Sequence, residues 1–150
     1  MAYVRLIYHI KWRTKDSAPT IAEEYERELF KYIWGTAKAM GCYLYRINSM
    51  PDHLHMLVEI PPNISVSELV RTIKMSAGRY MKEHKDWFPS FMGWAKSYCA
   101  ITYSLAERDT IINYIATQKE HHKKLSFSEE LKKIMQEVGI KYDEKYFLKE

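Results

Sequence analysis

A pair of histidines is the first feature of this sequence whose residue types and spacing could do chemistry. His53 and His55 are two positions apart, so in a β-strand both imidazoles project from the same face. His9 lies on the polar side of another predicted strand and is expected to face the same way. Two imidazoles on one face can bind a metal ion. The other interpretation is a pair of half-exposed histidines making ordinary hydrogen bonds, and the spacing alone leaves both open.

A tyrosine and a glutamine form the second pair. Tyr114 and Gln118 are four positions apart, which places them on one stripe of a helix. A tyrosine hydroxyl can act as a covalent nucleophile, and a glutamine amide oxygen can bind a cation. An interfacial tyrosine that hydrogen-bonds through the glutamine is the structural alternative. Together the two pairs predict metal-assisted transfer of a phosphodiester to Tyr114.

The predicted metal ligands are His53, His55 and Gln118. They carry no formal charge when both imidazoles are neutral, unlike the carboxylate cages that usually hold magnesium. We therefore expect weak metal binding until an oxygen of the phosphate completes the site. A nearby cluster of basic residues is interpreted as the solvated end of a helix, since no carboxylate is paired with it. It comprises Lys119, His121, His122, Lys123 and Lys124.

The composition is that of one folded domain. The chain has 150 residues, of which 47% are hydrophobic, and a formal net charge of +4; a domain usually spans about 100 to 200 residues. Its apolar runs are shorter than the roughly 18 residues of a membrane span, and its first residues read into a strand rather than a secretion signal. We therefore predict a cytoplasmic protein without membrane contact. Cys42 and Cys99 are too far apart to suggest a zinc ribbon or a disulfide framework.

The hydrophobic periodicity predicts the elements that position these side chains. The order is strand, helix, strand, strand, helix, strand, followed by two further helices. This order predicts an α+β fold, a ferredoxin-like antiparallel sheet with both crossover helices on one face. The other face is expected to be left for function or for another subunit. The predicted strands cover residues 3–13, 42–48, 53–60 and 94–103, and the predicted helices cover 21–40, a segment after Ser65, a segment after Ser104, and 126–138.

At these residues the sequence resembles the single-tyrosine HUH transposases, the insertion-sequence-200-like family with its REP-associated relatives. The resemblance covers nearly the whole chain in the family's order. We accordingly predict a single domain over residues 1–150, with a core of about 1–122 and a C-terminal helix and tail over 123–150. The matching stretches are residues 8–15, 51–58 with Pro61 and Pro62, 65–70 leading to 73–74, 94–103 and 114–118.

The resemblance implies a ferredoxin-like or RRM-like domain, usually dimeric, that cuts single-stranded DNA at or near hairpins with Mg²⁺ or Mn²⁺. It implies that His53 and His55 are metal ligands, with Gln118 as a further ligand. Tyr114 is implied as the nucleophile that forms a 5′-phosphotyrosine link, which conserves the bond energy for later strand joining. Family members often place the tyrosine helix of one subunit against the histidine strand of another, and the sequence leaves open which arrangement applies here.

Basic residues on the first strand and the second helix are the predicted DNA contacts. Tyr43, Tyr45 and Trp94 could stack on unpaired bases. Two alternatives to a transposase stay open: a noncatalytic protein of the same fold that binds hairpin DNA, and a hydrolase that activates water and does not need Tyr114. The basic residues are Arg5, Lys11, Arg13, Arg71, Lys74, Arg79 and Lys82.

Overall fold

A four-stranded antiparallel sheet lies at the centre of the protein in the computed structural model, which describes residues 2–121, 125–144 and 147. The spatial order of its strands is β2-β3-β1-β4, and every neighbouring pair is antiparallel. This order confirms the predicted α+β, ferredoxin-like sheet. The strands are β1 (Ile7–Arg13), β2 (Tyr43–Met50), β3 (His53–Glu59) and β4 (Cys99–Tyr103).

Two helices cover the first face of the sheet, α1 (Glu26–Ala39) and α2 (Val66–Glu83). Their apolar stripes meet the inward side chains of the strands, and Leu29, Ile33 and Ile73 are fully buried in this core. Each helix has an expected boundary signal. The Ser65 hydroxyl accepts a hydrogen bond from the Glu68 amide at the start of α2, and Gly41 adopts φ +80° just after α1.

Two boundaries differ from the sequence-based expectation. The helix predicted from residue 21 begins as a short 3₁₀ turn, Glu23–Tyr25, and becomes α-helical at Glu26. The last strand begins at Cys99 rather than at 94. Trp94 makes only an isolated bridge to Thr14, and its indole nitrogen donates to the carbonyl of Lys74 on α2. The segment before β4 is therefore held both by α2 and by the end of β1, where the Ala95 amide donates to the Arg13 carbonyl at 3.0 Å.

The C-terminal helices α3 (Arg108–Ala116), α4 (Gln118–His121) and α5 (Phe127–Val138) cover the second face. Ile115 of α3 packs with Ile7 and Leu57 in one apolar cluster. Phe127 and Leu131 of α5 pack with Cys99 in another. The expectation that this face is open is therefore wrong. The apolar stripes of α3 and α5 need burial, and this face of the sheet provides it.

Helix α5 has strong signals at both ends. Ser126 and Glu129 form a capping box at its start, and Gly139 ends it with φ +77°. His122, Lys123 and Lys124 of the predicted basic helix end lie outside the described residues. Among the described helices, none is both long and apolar enough to cross a membrane.

Candidate metal and nucleophile site

Strand β3 carries both predicted metal-binding histidines on the face that the C-terminal helices cover. Leu54, Met56 and Val58 point the other way into the main core. The imidazoles of His53 and His55 are 5.1 Å apart between ring centroids, and both are buried. The alternation of side chains along the strand thus places the two rings side by side beneath the second helical layer.

The Nδ1 atom of each histidine is held by a neighbouring side chain. His53 Nδ1 lies 2.7 Å from a carboxylate oxygen of Asp52. His55 Nδ1 lies 2.9 Å from Nε2 of His9, in a hydrogen bond that can run in either direction. Metal-binding histidines are commonly oriented in this way, with one ring nitrogen bonded to a second residue and the other presented to the metal.

Burial keeps the imidazoles of His55 and His9 in the neutral form. It lowers the pKa of His55 to about 3, although the hydrogen bond with Glu130 acts in the opposite direction. Burial, followed by the charges of His55 and Lys11, also lowers the pKa of His9 well below its ordinary value. A neutral imidazole has a lone pair available for a metal, so the protonation state of His55 suits ligation.

Tyr114 and Gln118 lie next to the histidines in the same molecule. The Tyr114 ring is 6.4 Å from the His55 ring between centroids. Helix α3 ends one residue after Ile115, and Gln118 begins the separate short helix α4. The Thr117 hydroxyl donates to the carbonyl of Asn113 at this break, a side-chain bond that competes with regular helix geometry.

Gln118 has the features expected of a ligand for a cation. Its side chain is buried, and its amide nitrogen donates to the Tyr114 carbonyl at 3.3 Å. Its amide oxygen has no hydrogen-bond partner within the part of the chain that the structure describes. A buried acceptor without a donor is rare in folded proteins, and a bound cation would satisfy it.

Glu130 on α5 is the residue of this site that the sequence analysis missed. Its Oε1 lies 3.3 Å from His55 Nε2, and its Oε2 accepts a hydrogen bond from the Tyr114 hydroxyl. Ligand atoms of Glu130, His53 and His55 lie within 4.8 Å of one another. The sequence did contain a signal for Glu130. Helical spacing places this carboxylate on the same stripe as Phe127 and Leu131, which is the stripe that the helix is expected to bury.

The combined donor set fits a divalent cation. Two neutral imidazoles, one carboxylate and one amide oxygen are ligands that metal sites in proteins use together. The carboxylate also affects the nucleophile. Burial raises the pKa of Tyr114, and the hydrogen bond and charge of Glu130 raise it further, so this hydroxyl keeps its proton at neutral pH.

Two predicted DNA contacts on β1 are buried instead of open. Lys11 is 1% exposed, and its Nζ lies 3.9 Å from Oε1 of Glu130. Arg13 is 4% exposed, and its guanidinium donates to the hydroxyl of Ser17. The prediction that these side chains lie on an open surface is wrong, because α5 and the segments beside it cover this end of the strand. Arg5 is exposed and pairs with Glu59 at 2.8 Å.

The predicted basic residues of α2 line one groove, with a volume of about 1050 Å³. Lys74 differs from the others because its ammonium donates to the backbone carbonyls of residues 95, 96 and 97, at 2.8, 3.1 and 3.2 Å. An ammonium has three donors, so all of them are used. Burial, followed by the charge of Arg13, lowers its pKa to about 8. These bonds give Lys74 a structural role, and its contact with DNA stays a prediction. The other predicted basic residues of the groove, Arg71, Arg79 and Lys82, are exposed, as are Lys85 and Lys96 of its lining.

Comparison with known proteins gives consistent results. The family described as "Transposase IS200 like" matches residues 2–118. The ISDra2 transposase TnpA of Deinococcus radiodurans is 27% identical over 122 residues, which are 77% of this chain and 86% of that protein. A crystal structure of a protein assigned as a transposase of D. radiodurans R1 has a TM-score of 0.59 at 28% identity, covering 79% of this chain and 95% of that one.

A REP-associated tyrosine transposase, solved bound to a REP hairpin, shares the fold. Its TM-score is 0.61 at 12% identity, and the match covers 81% of this chain and 72% of that one. The family match spans β1 to the first residue of α4 and includes both histidines, Tyr114 and Gln118. The chain belongs to the IS200-like transposase family.

Proposed function

We propose that this protein cleaves and rejoins single-stranded DNA, with the Tyr114 hydroxyl as nucleophile. One observation carries the proposal: Tyr114 and the β3 histidine His55 contact the same buried carboxylate, that of Glu130. The nucleophile and the metal ligands thus converge within one molecule. Membership of a transposase family supports a DNA-processing role for this site.

The proposed reaction is a transfer of a phosphodiester to tyrosine. The Tyr114 oxygen attacks phosphorus, a tyrosyl–phosphorus bond forms, and the bond from phosphorus to the 3′-oxygen breaks. The tyrosine proton is lost, the 3′-oxygen gains a proton, and the 5′-phosphate stays on the protein. A bound Mg²⁺ or Mn²⁺ would polarise the scissile phosphate. Attack by a DNA 3′-hydroxyl then reverses the step and joins strands.

We place the cation ligands at His53, His55 and Gln118. Their support is the buried amide oxygen of Gln118, which has no partner among the described residues, the closeness of the ligand atoms of His53 and His55, and the neutral state of His55. Because Tyr114 lies beside His55 in the same chain, the proposed site can act with its own tyrosine. We also propose a homodimer, on the basis of the family resemblance; light scattering of the full chain tests it.

The α2 groove is the proposed surface for a DNA hairpin. Arg71, Arg79 and Lys82 are exposed along it and can neutralise phosphates. The structural relative bound to a REP hairpin supports a hairpin as ligand. Exposed Tyr43, at the end of β2, is a candidate for stacking on an unpaired base.

The decisive experiment looks for a covalent adduct. The protein is incubated with Mg²⁺ or Mn²⁺ and single-stranded DNA flanking its own gene, and then denatured. A transposase gives a protein–DNA adduct that survives denaturation, and Tyr114→Phe abolishes it while hairpin binding is retained. A binding-only protein gives no cleavage with the wild type. Cleavage at the normal rate by the Tyr114→Phe variant would assign the chemistry to activated water.

A further inference from the structure

The carboxylate of Glu130 lies between the proposed nucleophile and the proposed metal ligands. One oxygen lies 3.3 Å from His55 Nε2, and the other accepts the hydrogen bond of the Tyr114 hydroxyl. A scissile phosphate has to occupy the same space. Its phosphorus must be reached by the Tyr114 oxygen while one of its own oxygens meets the ligands of the cation.

A carboxylate resembles a phosphodiester in the properties that matter at this position. Both are anions that present two oxygens, one of which can bind a cation while the other accepts a hydrogen bond. We propose that Glu130 stands in for the scissile phosphate in the DNA-free protein, as an anionic ligand of the cation, and that DNA displaces it. This inference rests on the proposed function.

The burial of the site requires such a displacement. His53, His55, Gln118 and Glu130 are each at most 2% exposed. Tyr114 is half-buried and lines a cavity of about 720 Å³ with His9 and Glu130, but a phosphodiester oxygen cannot meet the buried ligand atoms while α5 lies in this position. The helix must therefore move before DNA is cut.

The packing of α5 is compatible with its release. Its buried contacts form a small cluster around Phe127, Leu131 and Cys99, separate from the main core between the sheet and α1 and α2. Elements held by few apolar contacts open at a lower free energy than the core does. Helix α5 also follows the segment matched by the family, residues 2–118.

The charge balance favours exchange of one anion for another. Lys11 is buried, and its Nζ lies 3.9 Å from Glu130 Oε1. If Glu130 left without replacement, Lys11 would remain as a buried cation without a counter-charge, which is costly. An incoming phosphate restores the pairing. Lys11 can thus meet DNA only in the state in which α5 is displaced.

The proposal changes the expected metal affinity of the free protein. The neutral set of His53, His55 and Gln118 predicts weak binding without DNA, whereas Glu130 adds a carboxylate to it. His55 Nε2 and Glu130 Oε1 are 3.3 Å apart. Two neighbouring ligand atoms of one cation, each bound at about 2.1 Å and at right angles to the other, are about 3 Å apart, so the observed distance is close to that of a shared cation.

The first test measures Mn²⁺ binding to the full chain without DNA, by titration calorimetry. Glu130→Gln keeps the shape of the side chain and removes its charge. We expect it to weaken Mn²⁺ binding by about tenfold or more. Glu137→Gln makes the same change at an exposed position of the same helix and should bind Mn²⁺ like the wild type. Equal affinity in all three proteins would overturn the proposal.

The second test measures affinity for a fluorescent single-stranded oligonucleotide in EDTA, by anisotropy. Glu130→Gln should bind DNA at least about fivefold more tightly than the wild type, since the competing anion is gone. Leu131→Ala loosens the docking of α5 without altering the carboxylate and should act in the same direction. DNA affinity unchanged or weakened in both variants, with folding verified by circular dichroism, contradicts displacement by DNA.

Adduct formation separates this inference from the proposed function. Leu131→Ala, which leaves every proposed ligand in place, should form the covalent adduct at least as fast as the wild type once Mn²⁺ is saturating. Loss of the adduct in this variant alone would show that cleavage needs α5 in its docked position and would contradict the stand-in role of Glu130. If neither protein forms an adduct, the proposed function fails, while the metal and DNA affinities still decide the role of Glu130.

Discussion

The hydroxyl of Tyr114 donates a hydrogen bond to Glu130, a residue 16 positions later on a different helix. The same carboxylate also lies near His55 and Lys11. The proposed nucleophile, a proposed metal ligand and a buried cation therefore meet at one side chain. Since that side chain belongs to α5, which follows the matched family segment, we expect the position of this helix to control access to the site.

Loss of either β3 histidine should remove metal-dependent cleavage. His53→Ala and His55→Ala each delete a proposed ligand, so the affinity for Mn²⁺ should fall by more than about tenfold. Excess Mn²⁺ should restore part of the cleavage. The assay is adduct formation across a Mn²⁺ titration. His84→Ala, at the end of α2, is the matched control and should behave like the wild type. Unchanged cleavage in both β3 variants would make the histidines structural.

Stability should depend on the protonation of His55 at acidic pH. Its pKa is 6.5 in the unfolded chain and about 3 in the folded protein. Between these values the unfolded chain binds more protons, so the contribution of His55 to stability is full above about pH 6.5 and is lost as the pH falls toward 3.

Urea unfolding at several pH values between 4 and 7 measures this dependence. In His55→Gln the free energy of unfolding should vary less steeply with pH, by up to about 1.4 kcal/mol per pH unit. Titratable groups away from His55 contribute equally to both proteins, so the difference between the two curves reports His55 together with its neighbours His9 and Glu130. Parallel curves would show that His55 titrates normally in the folded state.

Lys74 should stabilise the fold and contribute little to DNA binding. Its ammonium holds three successive backbone carbonyls in the segment before β4. Lys74→Met should lower the free energy of unfolding by about 1–3 kcal/mol, because three backbone acceptors, two of them in part-buried bonds, lose a charged donor. Lys82→Met removes the same charge from an exposed position of α2 and should change stability by less than about 0.5 kcal/mol. Urea unfolding of both variants measures the two changes in stability. Equal changes would show that Lys74 has no structural role.

The exposed basic residues of the α2 groove should govern the salt dependence of hairpin binding. Arg79→Ala or Lys82→Ala should weaken binding and reduce the slope of log affinity against log salt by about 1. Anisotropy with a labelled DNA hairpin at several salt concentrations measures both quantities. Lys38→Ala on α1 removes an exposed charge outside the groove and serves as the control. Equal slopes for all of these proteins would place the hairpin elsewhere.

Local patterns determined the parts of the site that depend on one element at a time. A strand alternates its side chains, so the positions of His53 and His55 sufficed to put both imidazoles on one face. The helical repeat likewise put Tyr114 within reach of Gln118, whose amide donates to its carbonyl even though the helix breaks between them. The hydrophobic periodicity of the strands and helices also predicted the ferredoxin-like order of the sheet.

Contacts between distant elements were decided only by the tertiary structure. The helical pattern of residues 126–138 predicts α5, but it does not indicate which surface buries its apolar stripe. Once α5 covers the second face of the sheet, Lys11 becomes a buried partner of Glu130 instead of a surface charge. Lys74 changes its role for the same reason, since its acceptors lie more than twenty positions away. Residue type and spacing predict which groups can react, whereas the packing of faces far apart in sequence decides which of them meet and which remain accessible.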